Sequence, residues 1–130
     1  MISILNGASR LSNKNIYNLL NAAPKNLSAI TAPNRPALTY EALIKHVDRI
    51  GGQLSGQGLT NSDRVAIVLP NGPEMATAFL AVSSFMSAAP LNPAYKQSEY
   101  EFYLEDLQPK LVMIEKGSSN TVRQAALKLS

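Results

Sequence analysis

No cysteine occurs among the 130 residues, which excludes disulfides and thiolate metal sites and fits a reducing, cytosolic setting. Histidine is nearly absent too: His46 stands alone, so any imidazole-based triad or metal centre would have to be built around it. No apolar run approaches the ~18 residues that a membrane helix needs. Met1 to Leu11 has neither the basic start nor the long apolar centre of a secretory leader, so a cytoplasmic protein without a membrane span is expected. Charge is sparse at 16%, while 45% of residues are hydrophobic, proportions that suit one globular domain with one core. Residues 1–65 carry +4 and residues 66–130 carry −1, giving the net +3. The basic residues Arg10, Lys14, Lys25 and Arg35 stand singly with no aromatic interleaving, so no nucleic-acid partner is expected.

What is present is a sequence of apolar patterns with clear punctuation. Ile16, Leu19, Leu20 and Ala23 have helical spacing, which predicts a short helix over 13–22 stopped by Pro24. Residues 24–38 are rich in Pro, Asn and Ala, with apolar pieces at 27–31 and 37–40 that read as extended segments or a small hairpin. Thr39 can cap a helix whose stripe is Leu43, Val47, Ile50 and Leu54, with Gly56 or Gly58 as its left-handed terminator. Val65–Leu69 is a continuous aliphatic run of the kind found in strands buried on both faces. Pro73 suits a first helical position, and residues 74–86 are apolar almost all round, which predicts a deeply buried helix with Phe79 and Val82 in the core. Ala88–Leu91 and Leu111–Ile114 read as further strands. Between them Ser98 and Glu101 can form a capping box, followed by the stripe Tyr100, Tyr103, Leu104 and Leu107. Val122, Ala125, Ala126 and Leu129 give a last helix.

Strand and helix alternating in this way predict an α/β fold: a three-layer parallel sheet with helices on both faces and right-handed crossovers. The expected division is an N-terminal helix with extended segments over 1–38, then a βαβαβα subdomain over 39–130.

In open parallel sheets, ligands sit beyond the carboxyl ends of the strands. Asn71, Gly72 and Asn92 occupy those places and are the candidate binding residues. Against this, Asn71 could cap the following helix and Gly72 make the turn, since nothing in the loop matches a phosphate fingerprint. Gly51 to Gly56 has the G-x-x-x-x-G spacing of a P-loop, but Gln57 stands where lysine is required and the segment ends a helix instead of following a strand. Its glycines read as devices for close packing and termination. His46 lies beside the apolar stripe of its helix, with Asp48 the one acid near it in sequence. Glu99, Glu101, Glu105 and Asp106 read as surface acids, and Lys116-Gly117 reads as a turn. No catalytic residue and no metal ligand is assigned.

Several pieces together carry a resemblance: Leu38-Thr-Tyr-Glu-Ala-Leu43, Asp63-Arg-Val-Ala-Ile67, Pro70-Asn71, Pro73-Glu74, Ala78-Phe-Leu-Ala81, Pro90-Leu-Asn-Pro93 and Pro109-Lys110. In this order and spacing the chain resembles the opening part of the AMP-forming acyl-activating enzymes, the acyl-CoA synthetase and firefly-luciferase superfamily. Leu91-Asn-Pro-Ala-Tyr-Lys96 and Phe102-Tyr-Leu-Glu-Asp-Leu107 are most similar to the oxalyl-CoA synthetase branch. Ser62 and Ser87 stand where the family usually has glycine. The resemblance implies part of that family's large N-terminal domain, with ATP, Mg²⁺ and CoA as the complete enzyme's cofactors and a small carboxylic acid as its substrate. The family's phosphate loop, its adenine and Mg²⁺ segment and its C-terminal lysine domain have no match here. The expectation is therefore an N-terminal fragment that is inactive alone, with no cofactor of its own and the remainder of the enzyme as its partner. A self-sufficient flavodoxin-like binding module and an inactive interaction remnant are the alternatives.

Overall fold

The computed structural model describes residues 15–118 and 120–130. Helix α1 (Ile16–Ala22) starts where the Asn15 side chain accepts a hydrogen bond from the Asn18 N–H at 2.8 Å. Positions 13 and 14 of the expected helix lie outside the described residues. A two-stranded antiparallel hairpin follows, β1 (Ser28–Ile30) against β2 (Leu38–Thr39), so the apolar pieces of this Pro- and Asn-rich segment do pair. Helix α2 (Tyr40–Gly56) begins at Thr39, whose hydroxyl accepts from the Ala42 N–H at 3.2 Å. Gly58, at φ +81°, supplies the left-handed turn beyond its end.

The main sheet is built from β3 (Arg64–Val68), β4 (Ser87–Pro90) and β5 (Leu111–Ile114), in the order β4-β3-β5 and parallel throughout. Val65 faces Ala88 on one side and Leu111 on the other. Helices α3 (Pro73–Phe85), α4 (Gln97–Leu107) and α5 (Asn120–Leu129) complete the subdomain. Because side chains alternate along a strand, Val65 and Ile67 meet Ala78 and Val82 of α3 and Leu54 of α2, while Ala66 and Val68 meet Tyr100, Leu104, Val122 and Ala125 of α4 and α5. This is the expected three-layer arrangement. A third cluster joins Leu20 of α1 to Leu43, Ile44 and Val47 of α2 and Ala81 of α3, which seats α1 and the hairpin on the outside of the α2/α3 layer.

Two details differ from the sequence reading. Phe79 is not in the core; it is 39% exposed, whereas Val82 is fully buried. Helix α3 turns Ala78, Ala81 and Val82 inward and leaves Phe79 partly exposed. The hydroxyls of Thr77 and Ser84 donate to carbonyls of their own helix, those of Pro73 and Leu80, at 2.8 and 2.7 Å. The capping box of α4 also shifts. The helix begins at Gln97, so Glu99 takes the inner position and its carboxylate accepts from the Lys96 N–H at 2.8 Å. Glu101, freed from capping, pairs with Lys128 at 2.7 Å and ties α4 to α5.

Candidate functional site

The carboxyl ends of β3 and β4 are neighbours, so the loops carrying Asn71-Gly72 and Asn92 share one edge of the sheet. They do not form a cluster of converging groups. Gly72, and not Asn71, is the N-terminal cap of α3; it makes no side-chain capping bond, and its carbonyl accepts from the Ala76 N–H at 3.0 Å. Asn71 is exposed, with no side-chain hydrogen bond among the described residues. Asn92 is occupied structurally. Its side-chain oxygen accepts from the Ala94 N–H at 2.9 Å, and its carbonyl accepts from the Tyr100 hydroxyl at 2.9 Å. Tyr100 is fully buried, and that burial raises its pKa above the ordinary phenol value.

A cavity of about 440 Å³ lies between the hairpin, α2 and the first turn of α3, and its lining includes none of Asn71, Gly72 and Asn92. Ile50, Leu69, Ala78 and Met113 contribute apolar walls. Arg35, His46, Arg49 and Glu74 supply the charged and imidazole groups. Arg35 and Glu74, from the hairpin loop and α3, form an ion pair between themselves, and the guanidinium bond holds the Glu74 carboxyl below its ordinary pKa. Arg49 Nη2 donates to His46 Nδ1 at 3.2 Å, which requires the imidazole proton on Nε2. His46 is thus a half-buried partner of an arginine, and Asp48 is not its contact. Sequence spacing carries no sign of this grouping, because the Arg35–Glu74 pair spans 39 positions. Among the described residues, no three His, Asp or Glu side chains converge as a metal ion would require.

The opposite, amino edge of the sheet is more densely tied. Asp63 accepts from the Thr60 N–H at 2.6 Å and its hydroxyl at 3.0 Å, and Lys110 lies 3.6 Å away. These contacts, the Thr60 N–H first, lower the Asp63 pKa. Arg64 Nη1 donates to the Leu107 carbonyl at 2.8 Å, and Lys110 Nζ donates to the Gly58 carbonyl at 3.2 Å. The Asp63-Arg64 and Pro109-Lys110 pieces of the sequence pattern therefore fasten β3, β5 and the end of α4 together. Gly51 does the close packing expected of it: a Cβ there would run into the ring of Phe85.

The model for the AMP-binding enzyme family matches residues 20–129, nearly the whole of the described fold. The chain belongs to the AMP-binding enzymes. It is 37% identical over 103 residues to an oxalate–CoA ligase of Arabidopsis thaliana, a match covering 78% of this chain and 20% of that protein. With an oxalate–CoA ligase of Saccharomyces cerevisiae it shares 43% identity over 67 residues, 51% of this chain and 12% of that one. Among solved structures, apo MatB from Rhodopseudomonas palustris superposes with a TM-score of 0.78 at 25% identity, covering 90% of this chain and 24% of MatB. The N-terminal domain of FACL13 from Mycobacterium tuberculosis gives 0.75 at 26% identity, with 90% and 30% covered. The chain thus spans a fifth or less of the length of these two curated relatives. No helix among the described residues is long and apolar enough to cross a membrane.

Proposed function

We propose that this chain is the amino-terminal portion of an AMP-dependent acyl-CoA ligase of the oxalate-activating kind, and that it supplies framework and no reacting group. In the complete enzyme a carboxylate would attack ATP to give an acyl-adenylate and pyrophosphate, and CoA would then take the acyl group. The observation that carries this reading is the use to which the family-like pieces are put. Asp63, Arg64, Lys110 and Asn92 are all engaged in holding strands, loops and helices in place.

The groups present at the carboxyl edge do not fit a Mg²⁺-triphosphate. Pro70-Asn71-Gly72 and Asn92-Pro93 contain neither a cation nor a carboxylate. Glu74, the nearest acid in sequence, is engaged by Arg35. Stabilising charge as it develops on phosphates is usually the largest part of such catalysis, and no residue here is assigned that work. The test is carboxylate-dependent exchange of labelled pyrophosphate into ATP, with oxalate and with medium-chain fatty acids. The pure chain is expected to stay at background, and exchange above background would overturn the non-catalytic assignment. Saturable ATP binding by a stable monomer would favour the self-sufficient module instead.

A further inference from the structure

We propose that the 440 Å³ cavity binds an organic monoanion with an apolar body, its charged head on Arg49 and its body against Ile50, Leu69 and Met113. Every residue that builds the site lies in this chain, so the inference does not rest on the activity of a complete enzyme.

The first support is an uneven balance of charge. Arg35, His46, Arg49 and Glu74 line the cavity. Arg35 and Glu74 are spent on each other, and their pair also ties the hairpin loop to the first turn of α3. Arg49 has no carboxylate within ion-pair distance among the described residues. Asp48, beside it in sequence, faces the Tyr17 hydroxyl instead, and hydrogen bonding to that carboxylate raises the phenol's pKa. A single cation is left over, which matches a single negative charge. A nucleoside triphosphate would bring several charges up against the Glu74 carboxylate, where like charges repel.

The second is the way Arg49 is held. Residues three and four apart share a helix face, so His46, Arg49 and Ile50 stand together on α2. The bond from Arg49 Nη2 to His46 Nδ1, at 3.2 Å, steadies the guanidinium. It leaves the other guanidinium N–H groups as a planar fork suited to the paired oxygens of an acid head.

The third is the wall. Ile30 and Leu38 of the hairpin, Ile50 of α2, Leu69 beyond β3, Ala78 of α3 and Met113 of β5 surround the space with apolar surface. Small-molecule sites are typically cavities of roughly 300–1,000 Å³ with such walls and a few placed polar groups.

The experiment titrates the chain with octane-1-sulfonate and with octanoate, reading methyl NMR shifts at Ile50, Leu69 and Met113. The sulfonate cannot be adenylated, so its binding is separable from any test of ligase activity. Both anions are expected to give saturable shifts at these three residues. Octan-1-ol, which lacks the charge, and acetate, which lacks the body, should each bind about 10-fold more weakly or worse. Arg49→Gln should lose about 10-fold in affinity for both anions, the worth of one charge-assisted hydrogen bond. Lys45→Gln removes a charge from the same helix, one paired with Glu41 and outside the cavity, and should change little. The absence of saturable shifts, equal binding of octan-1-ol, or an unchanged affinity in Arg49→Gln would overturn the proposal. So would shifts centred on Val122 and Leu127, which line a separate cavity with Arg123. The octan-1-ol comparison uses the native chain and decides the question even if a variant is unstable.

Discussion

Gly51 and Gly52 sit side by side on α2 in opposite surroundings. A side chain at Gly51 would collide with the ring of Phe85, which is itself packed on Tyr17 at 5.4 Å, whereas nothing lies within 4 Å of a Cβ at Gly52. Alanine is better than glycine in a helix interior by about 1 kcal/mol, while overpacking a filled contact costs about 1–3 kcal/mol. Gly52→Ala should therefore raise the urea midpoint and Gly51→Ala should lower it. A similar contrast holds on α3. Val82, fully buried, should lose about 2 kcal/mol on truncation to alanine. Phe79→Ala should lose about 1–2 kcal/mol, well short of the ~3–5 of a core phenylalanine, because the residue is 39% exposed. The midpoints of the two variants in urea test this ordering.

At the scale of elements, the amino edge of the sheet is where pH should be felt. Asp63 has a depressed pKa in the fold, so its ionised form is the stabilising one. That contribution is present above the ordinary carboxylate pKa and is lost as pH falls through the lower folded value; Glu74 and Glu101 have the same sign. Asp63→Asn should flatten the loss of thermal stability below about pH 4, measured as Tm against pH. Tyr100→Phe should cost about 0.5–1.5 kcal/mol, the usual worth of a hydrogen bond, since it deletes the bond to the Asn92 carbonyl. The strands were legible because aliphatic runs such as Val65–Val68 suit only a doubly covered strand, and Thr39, Pro73 and Gly58 act as their residue types suggest. The start of α4 differs from the sequence pattern because the capping-box residues point to Ser98/Glu101, whereas the helix begins at Gln97 after Lys96, a residue type the pattern does not flag, and Glu99 accepts from the Lys96 N–H. The exposure of Phe79 was misread because periodicity reports that a helix is apolar, not which parts of it the neighbouring elements cover. The Arg35–Glu74 and Arg49–His46 grouping was invisible because it depends on the hairpin, α2 and α3 being brought together.

At the scale of the whole molecule, a partly exposed Phe79 and a β5 edge with no strand beside it among the described residues should make the isolated chain prone to self-association. Sedimentation equilibrium should show an apparent mass that rises with concentration, and a monomer of high stability would contradict this. The order β4-β3-β5 has a further consequence, for the ribosome. The central strand is the first of the three to be synthesised, and each later strand emerges to find β3 already made. Parallel pairing, which requires distant segments to meet and is slow for that reason, is here divided into short steps of one helix and one strand. The nascent chain can close β3 on β4 before β5 exists and then add β5 to the other flank, so the sheet can be assembled in the direction of translation, each new strand finding its partner already made.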